Sequence, residues 1–331
     1  MAKTILGIDI GYDSLKLALV TGNRVKKTAV VPMPQKLVKE GRAVSPETMG
    51  ELIRTTMKEH GIRCRSAALA LPNETVFVRS VTMPRMSVDQ LTYNLPFEFR
   101  DYITDEMKNY LFDYAMVSAP EQKTEGEGGS MELLAVAAPV SLIDESKALL
   151  RKAGLKLTKA APALCSYISL IRRLGTGGQT PREFCILDLG YRSIRMYMFR
   201  GDKHVVTRVL EIGMSSLDDV LAEAYNVDVH LAHTYLLTNY DDCQNKDVCL
   251  NAYNNVAVEL MRALNFYRFS NQESELNDVW LCGGGAVIPA MQTAIASALD
   301  MRIHQAAELV AGGRSVPACH QLIQAIGIAQ D

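Results

Sequence analysis

Apolar residues along this chain follow two spacings, a period of two and a helical period, and stretches of each alternate. Thr4–Ile10 and Cys185–Leu189 are apolar runs of strand length, as buried strands require. After them, Leu15, Leu17 and Leu19 alternate with Lys16 and Ala18, and Ile194, Met196 and Met198 alternate with Arg195 and Tyr197, which predicts return strands. Gly22-Asn23 and Gly201-Asp202 supply the next hairpin turns. The same hairpin is thus written twice. Ile8-Asp9-Ile10-Gly11-Tyr12-Asp13-Ser14-Leu15-Lys16 returns as Leu187-Asp188-Leu189-Gly190-Tyr191-Arg192-Ser193-Ile194-Arg195. So long a period excludes a solenoid and predicts two related domains, each opening with this hairpin.

The remaining pattern fills in the two halves. Val30–Glu40 is a connection with little pattern. Ser45 as cap and Pro46 at the first position start a helix with the stripe Met49, Leu52, Ile53 and Met57, ended by Gly61. Ser66–Leu71 and Val76–Val81 read as strands. Ser87 caps a segment carrying Leu91, Leu95 and Phe99, which Pro96 should interrupt. Phe112–Val117 and Leu133–Pro139 read as paired strands around an acidic, Gly-rich mobile loop, Glu121–Ser130. A helix over Ser141–Ala153 and a strand over Leu155–Ala160 follow, then a helix over Pro162–Leu174 and the linker Gly175–Pro181. The second half adds strand Val205–Leu210, two helices between Ser216 and Tyr240, and a third over Asn251–Phe269. Strand Asp278–Cys282 runs into Gly283-Gly284-Gly285 and helix Val287–Leu299, and a helix over Ala318–Ala329 ends the chain. The expected division is a first domain 1–83 completed by helices 162–174 and 318–331, and a small α+β insertion 84–161. A linker at 175–182 leads to a second domain 183–317 with a helical part 213–276.

Composition narrows the function classes. The 331 residues, 48% hydrophobic and 22% charged, are ordinary for a soluble globular protein. A net charge of −2 gives no reason to expect nucleic-acid binding. Seven scattered cysteines read as reduced thiols in cytosol. Cys243, Cys249, His230 and His233 fit no zinc spacing and read as packed or solvated side chains. The first strand begins within a few residues of the N-terminus, so no signal peptide is expected. Leu133–Val140, the most apolar run, is far short of the roughly 18–20 residues of a membrane span.

Chemistry concentrates in the repeats. A tight Asp-x-Gly turn can cradle phosphate with its backbone amides, and the Asp can hold a metal's water shell. Asp9 and Asp188, at the ends of apolar strands, are the strongest candidates, with capping of the turn amides as the structural alternative. Gly283-Gly284-Gly285 lacks the third glycine of the dinucleotide fingerprint, and the chain has no Walker A sequence. Beside the two turns, a ligand contact is favoured over close helix–strand packing. Phe97, Phe99, Tyr102, Tyr110, Phe112 and Tyr114 concentrate aromatics in the insertion, as a peptide groove or as its own core.

With two hairpin turns and a late glycine triplet, the sequence resembles the actin-like ATPase superfamily, and within it the PilM family of type IV pilus assembly proteins, relatives of the division protein FtsA. The resemblance spans nearly the whole chain. It rests on Gly7-Ile8-Asp9-Ile10-Gly11 with Ser14 and Lys16, Ala70-Leu71-Pro72 with Val78-Arg79 and Met83-Pro84, and Glu98…Tyr102-Ile103 before Asp113-Tyr114. Asp188-Leu189-Gly190, Glu211-Ile212-Gly213, Gly283–Gly285 and Ala325-Ile326-Gly327 continue it. It implies the duplicated α/β, ribonuclease H-like fold, two domains around a nucleotide cleft, with the small subdomain of the FtsA and PilM type. By position it implies ATP with Mg²⁺, held through water by Asp9 and Asp188. Asp9, Gly11, Tyr12, Asp13, Ser14 and Lys16 would form the first phosphate loop, Asp188, Gly190, Tyr191 and Arg192 the second, and Gly283, Gly284 and Gly285 would meet adenosine.

The implied role is a platform at the inner face of the cytoplasmic membrane. It would dock the cytoplasmic N-terminal peptide of a bitopic PilN-like protein, with Phe97, Phe99, Tyr102, Tyr110 and Phe112 as candidate contacts. It would also join the pilus complex to its motor, with self-association possible, or serve a related secretion machine. Tyr12, Asp13, Tyr191 and Arg192 replace small residues of the family's loops, which argues against ATP turnover; Arg192 or Arg195 could offset the Asp13 charge. His233 and Leu236 stand where relatives carry Glu and Lys beside the nucleotide, which is expected to remove both charges. An FtsA-like division protein is disfavoured because Ala318–Asp331 has no basic face, and a small-molecule kinase because no second Asp motif follows the insertion.

Overall fold

The computed structural model describes residues 3–117, 129–175 and 181–330. β1 (Thr4–Ile10), β2 (Ser14–Thr21) and β3 (Arg24–Pro32) form an antiparallel meander with Asp9 opposite Lys16. β3 takes in Val30–Pro32, so the predicted connection begins later than its composition suggests, and a short ribbon of β4 (Val38–Lys39) and β5 (Arg42–Ala43) interrupts it. α1 (Pro46–Glu59) starts where the Ser45 hydroxyl accepts the Thr48 amide. β6 (Ser66–Leu71) then lies parallel to β1.

β7 (Phe77–Pro84), α2 (Val88–Asn94), β8 (Tyr110–Met116) and β9 (Ser130–Pro139) build the small subdomain, an antiparallel sheet in the order β7-β9-β8. Ser87 and Gln90 close a capping box on α2, and the helix gives way at Pro96 to a 3-10 turn, Leu95–Phe99. α3 (Val140–Lys152) and β10 (Lys156–Pro162) return the chain to the first sheet, where β10 pairs with β6. The expected limits 84–161 therefore shift: the subdomain's strand pairing runs from Phe77 to Pro139. α3 belongs with α1 instead, because Leu142, Leu149 and Leu150 share a core with Met49 and Ile53. Of the loop expected over 121–130 and the linker expected over 175–182, residues 121–128 and 176–180 lie outside the described residues, and Ser130 already belongs to β9.

α4 (Ala163–Gly175) leads into the second half. β11 (Glu183–Leu189), β12 (Ile194–Arg200) and β13 (Lys203–Leu210) repeat the meander with Asp188 opposite Arg195. Even an irregularity is repeated. The pairing slips between Leu19 and Val20 and again between Met198 and Phe199, the same distance past Lys16 and Arg195. α5 (Ser215–Tyr225), α6 (Val229–Thr238) and α7 (Asp247–Ser270) follow, then β14 (Asp278–Cys282), α8 (Pro289–Leu299), β15 (Arg302–Gln305) and α9 (Cys319–Ile328). The sheets, β10-β6-β1-β2-β3 and β15-β14-β11-β12-β13, share one plan.

α4 and α9 fill the space between the sheets. Leu164 and Tyr167 from α4 and Leu322 and Ile326 from α9 share a core with Ile5 and Ala18 of one sheet and Phe184 and Phe199 of the other. α1 and α3 cover the outer face of the first sheet, and α5 to α8 that of the second. Burial on both faces explains why β1 and β11 read as unbroken apolar runs. Gly7 permits the close approach: a Cβ there would stand 1.7 Å from the Ala325 carbonyl oxygen on α9.

Candidate functional site

The carboxyl ends of β1, β6, β11 and β14 meet between the two halves, the place where open α/β sheets bind ligands. The cleft there has about 130 Å³ of interior space, many times the ~10–15 Å³ that one water needs. It is sized for an organic ligand. Asp9, Gly11, Tyr12, Asp13, Ser14, Lys16, Asp188, Gly190, Tyr191, Arg192, Gly283 and Gly284 all line it. Gly285 does not. It is buried, and a Cβ on it would come within 2.5 Å of the Met214 sulfur, so the third glycine serves packing against Met214 and Leu189. Gly283 has a φ of +89° and its Cβ would press on an Asp188 carboxylate oxygen at 2.6 Å, whereas Gly284 faces open space.

The two turns hold opposed charges side by side. At the first, the Gly11 amide donates to the Ser14 carbonyl at 3.1 Å, and the Lys16 ammonium lies 3.2 Å from Asp9. Burial works against the Lys16 charge, but Asp9, with Asp188 and Asp13 beyond it, outweighs burial and raises its pKa. At the second, burial raises the pKa of Asp188, which accepts a 2.7 Å hydrogen bond from the Gln324 amide of α9 and another from Tyr167. Arg195, opposite Asp188 on the hairpin, reaches across the cleft to Glu74. The Arg192 guanidinium lies 5.4 Å from the Tyr12 ring centroid, again across the cleft.

His233 on α6 makes the third cross-cleft contact. Its Nε2 is 2.9 Å from an Asp13 oxygen and its Nδ1 is 2.9 Å from the buried Asp218. Tyr191 packs edge-on against the ring and hydrogen-bonds Asp218. Bonds to both carboxylates push the imidazole pKa up to about 10. This position carries no Glu charge, and two partners distant in sequence hold its imidazole protonated instead. Beyond it, Leu236, Leu237, Met214 and Ile288 give the cleft an apolar end facing Gly283 and Gly284.

A hydrated divalent cation fits the floor. Asp9 and Asp188 are electrostatically coupled there, and a buried carboxylate with a raised pKa gains from a cation. Among the described residues no group of three or more acidic, His or Cys side chains could hold a metal ion directly. Cys243 and Cys249 are buried free thiols.

Sequence reasoning missed several residues of the site. Asn73 and Glu74 follow β6, and their place at the end of a parallel strand was the available signal. Gln324 and Tyr167 were legible only as a polar group on a buried helix and an aromatic core residue. In the small subdomain, Phe97 and Tyr102 are 41% and 50% exposed, flanked by Arg100 and Arg79 respectively. Tyr110 and Phe112 are half-buried. Phe99 is fully buried and packs against Phe112 with the rings tilted and their centroids 5.6 Å apart, so its candidacy as a partner contact is corrected to a core role. No helix among the described residues is long and apolar enough to cross a membrane.

Known proteins share this architecture. The chain superimposes on a PilM–PilN type IV pilus biogenesis complex with a TM-score of 0.84, 24% identity, and 99% and 98% of the two chains covered. Ethanolamine utilization protein EutJ from Carboxydothermus hydrogenoformans matches with a TM-score of 0.62, 16% identity and 99% and 90% coverage. Component A of (R)-2-hydroxyglutaryl-CoA dehydratase from Acidaminococcus fermentans matches with a TM-score of 0.51, 10% identity and 98% and 96% coverage. No curated protein matches significantly. The fold is the two-domain, mixed α/β fold of the actin-like ATPases. The family model described as type IV pilus assembly protein PilM matches residues 7–312, and with the duplicated hairpins and the cleft between them this chain belongs to the PilM family.

Proposed function

We propose that this actin-like pilus assembly protein is a nucleotide-dependent platform, which binds ATP with Mg²⁺ in its cleft and docks the cytoplasmic N-terminal peptide of a PilN-like bitopic membrane protein. The observation that carries the nucleotide reading is the convergence of two Asp-x-Gly turns, Lys16, Arg192 and Arg195 at one end of the cleft, with an apolar end facing Gly283 and Gly284. Phosphates suit the first end and a flat base the second. Bound Mg²⁺ would neutralise phosphate charge above Asp9 and Asp188. The carboxylates lining the cleft are committed, Asp9 to Lys16, Asp13 to His233, Glu74 to Arg195 and Asp188 to Gln324, which favours binding over turnover.

Family membership supports the docking role, because a solved structure like this chain is a PilM–PilN type IV pilus biogenesis complex. The exposed Phe97 and Tyr102, each beside an arginine, suit an extended peptide on the small subdomain. The protein then works peripherally at the inner face of the cytoplasmic membrane, linked to the motor of a pilus or a related secretion machine. The test is affinity capture of the tagged full chain from solubilised native membranes, with Mg-ATP binding measured alongside. Recovery of a single-span protein with a short cytoplasmic tail, lost in Phe97→Ala/Tyr102→Ala, is expected. Recovery of a tubulin-like division protein instead overturns the pilus reading. Asp9→Ala should abolish the Mg-ATP shift in melting temperature, and an undiminished shift would move the nucleotide elsewhere.

A further inference from the structure

Asp13 poses a problem for a polyanion. It sits at the tip of the first turn and lines the same cleft as Lys16, Arg192 and Arg195. A carboxylate there repels phosphate unless something cancels it. Lys16 is taken by Asp9, and Arg195 by Glu74. The group that meets Asp13 comes from the other domain: His233 Nε2, at 2.9 Å, with Nδ1 of the same ring on Asp218. Asp218 is fully buried on α5, and Tyr191 closes over the imidazole at a centroid distance of 5.6 Å. A ring held by carboxylates at both nitrogens must carry both protons, because each nitrogen then donates.

We infer that His233 is the specificity-determining counter-cation of the cleft, which cancels Asp13 so that a nucleoside polyphosphate can approach the first turn. This rests on the nucleotide reading above and deepens it. Asp218 and Tyr191 are positioning residues, because they fix the charge and place of the ring without lining up a partner of their own for the phosphates. The pair also spans the domains: Asp13 precedes β2 and His233 lies on α6, so the ion pair forms only when the two halves stand as they do here.

The experiment measures equilibrium binding of adenosine, AMP, ADP and ATP, the last two with Mg²⁺, to the wild-type chain, His233→Gln, Asp13→Asn and the double variant. One uncancelled charge several ångströms from phosphate, at the effective dielectric of a protein surface, changes affinity roughly tenfold. His233→Gln should therefore weaken ATP about tenfold, ADP less and AMP less again, and leave adenosine unchanged. Asp13→Asn in that background should restore ATP affinity to within about threefold of wild type, because the charge needing cancellation is gone. Asp13→Asn alone, which keeps His233 charged through Asp218, should bind ATP more tightly, and it serves as the test should His233→Gln fold poorly. An equal loss for adenosine and ATP means a merely structural role and overturns the inference, as does failure of Asp13→Asn to restore binding. Wild-type affinity for ATP in His233→Gln overturns it while the nucleotide reading stands. Absence of ATP binding by the wild-type chain overturns both.

Discussion

Raising the pH should cost the wild-type fold a stabilisation that a His233→Gln variant never had. The imidazole titrates near 6.5 in an unfolded chain, and Asp13 and Asp218 lift it to about 10 in the folded one. The folded state thus keeps a proton that the unfolded chain has released. The contribution is fully present below pH 6.5, declines as pH rises from there, and is lost above pH 10. At ~1.4 kcal/mol per pH unit, the whole shift is an upper bound of about 5 kcal/mol. The ring is 21% exposed and its Asp13 partner 33%, so solvent screening reduces this to about 2 kcal/mol. Urea unfolding of both proteins at pH 6, 7.5 and 9 measures it. Wild type should exceed His233→Gln by about 2 kcal/mol at pH 6, with the gap narrowing steadily toward pH 9. A gap independent of pH would refute the reasoning, since it would show that the ring is not protonated by its neighbours. High salt should shrink the Asp13 part of the gap more than the Asp218 part, because Asp218 is fully buried.

Packing and backbone predictions follow from the same geometry. Gly7→Ala drives a methyl against the Ala325 carbonyl and should lower unfolding free energy by about 3 kcal/mol or more, read by urea titration; a near-neutral variant would mean that β1 and α9 are not in close contact. Gly283→Ala, strained at its φ of +89° and against Asp188, should lower the melting temperature by several degrees, while Gly284→Ala should leave it within about a degree. Equal effects at the two glycines would contradict the placement of the turn. Phe99→Ala should cost about 3–5 kcal/mol; Phe97→Ala, on an exposed ring, should change stability by under about 1 kcal/mol, and the reverse order would mean that the wrong ring is in the core.

Much of the fold was legible because its signals are local. Asp9 and Asp188 each end an apolar strand, each is followed by Gly, and each is paired across its hairpin with a base, so the repeat exposed the architecture and most of the cleft at once. Ser45 with Pro46, and Ser87 with Pro96, marked helix boundaries through capping and a missing amide, which are properties of neighbouring residues. The small subdomain was misjudged at both ends because a strand's sequence does not say which sheet it joins. Phe77–Pro84 and Lys156–Pro162 are both ordinary strands, and only their pairing, with β9 and with β6, assigns them. Gly285 and Phe99 failed for a related reason: identity and position in a motif do not state which way a residue faces.

The sequence by itself determined the duplication, the two Asp-x-Gly turns and the apolar faces of the strands and helices, since periodicity and turn chemistry are written along the chain. Only the tertiary structure decided the charge state of the cleft. His233 is a neutral imidazole by composition and a cation by location, because Asp13 from one domain and Asp218 from another helix reach it from opposite sides. Ionisation depends on what stands within a few ångströms, and that distance is set by the fold.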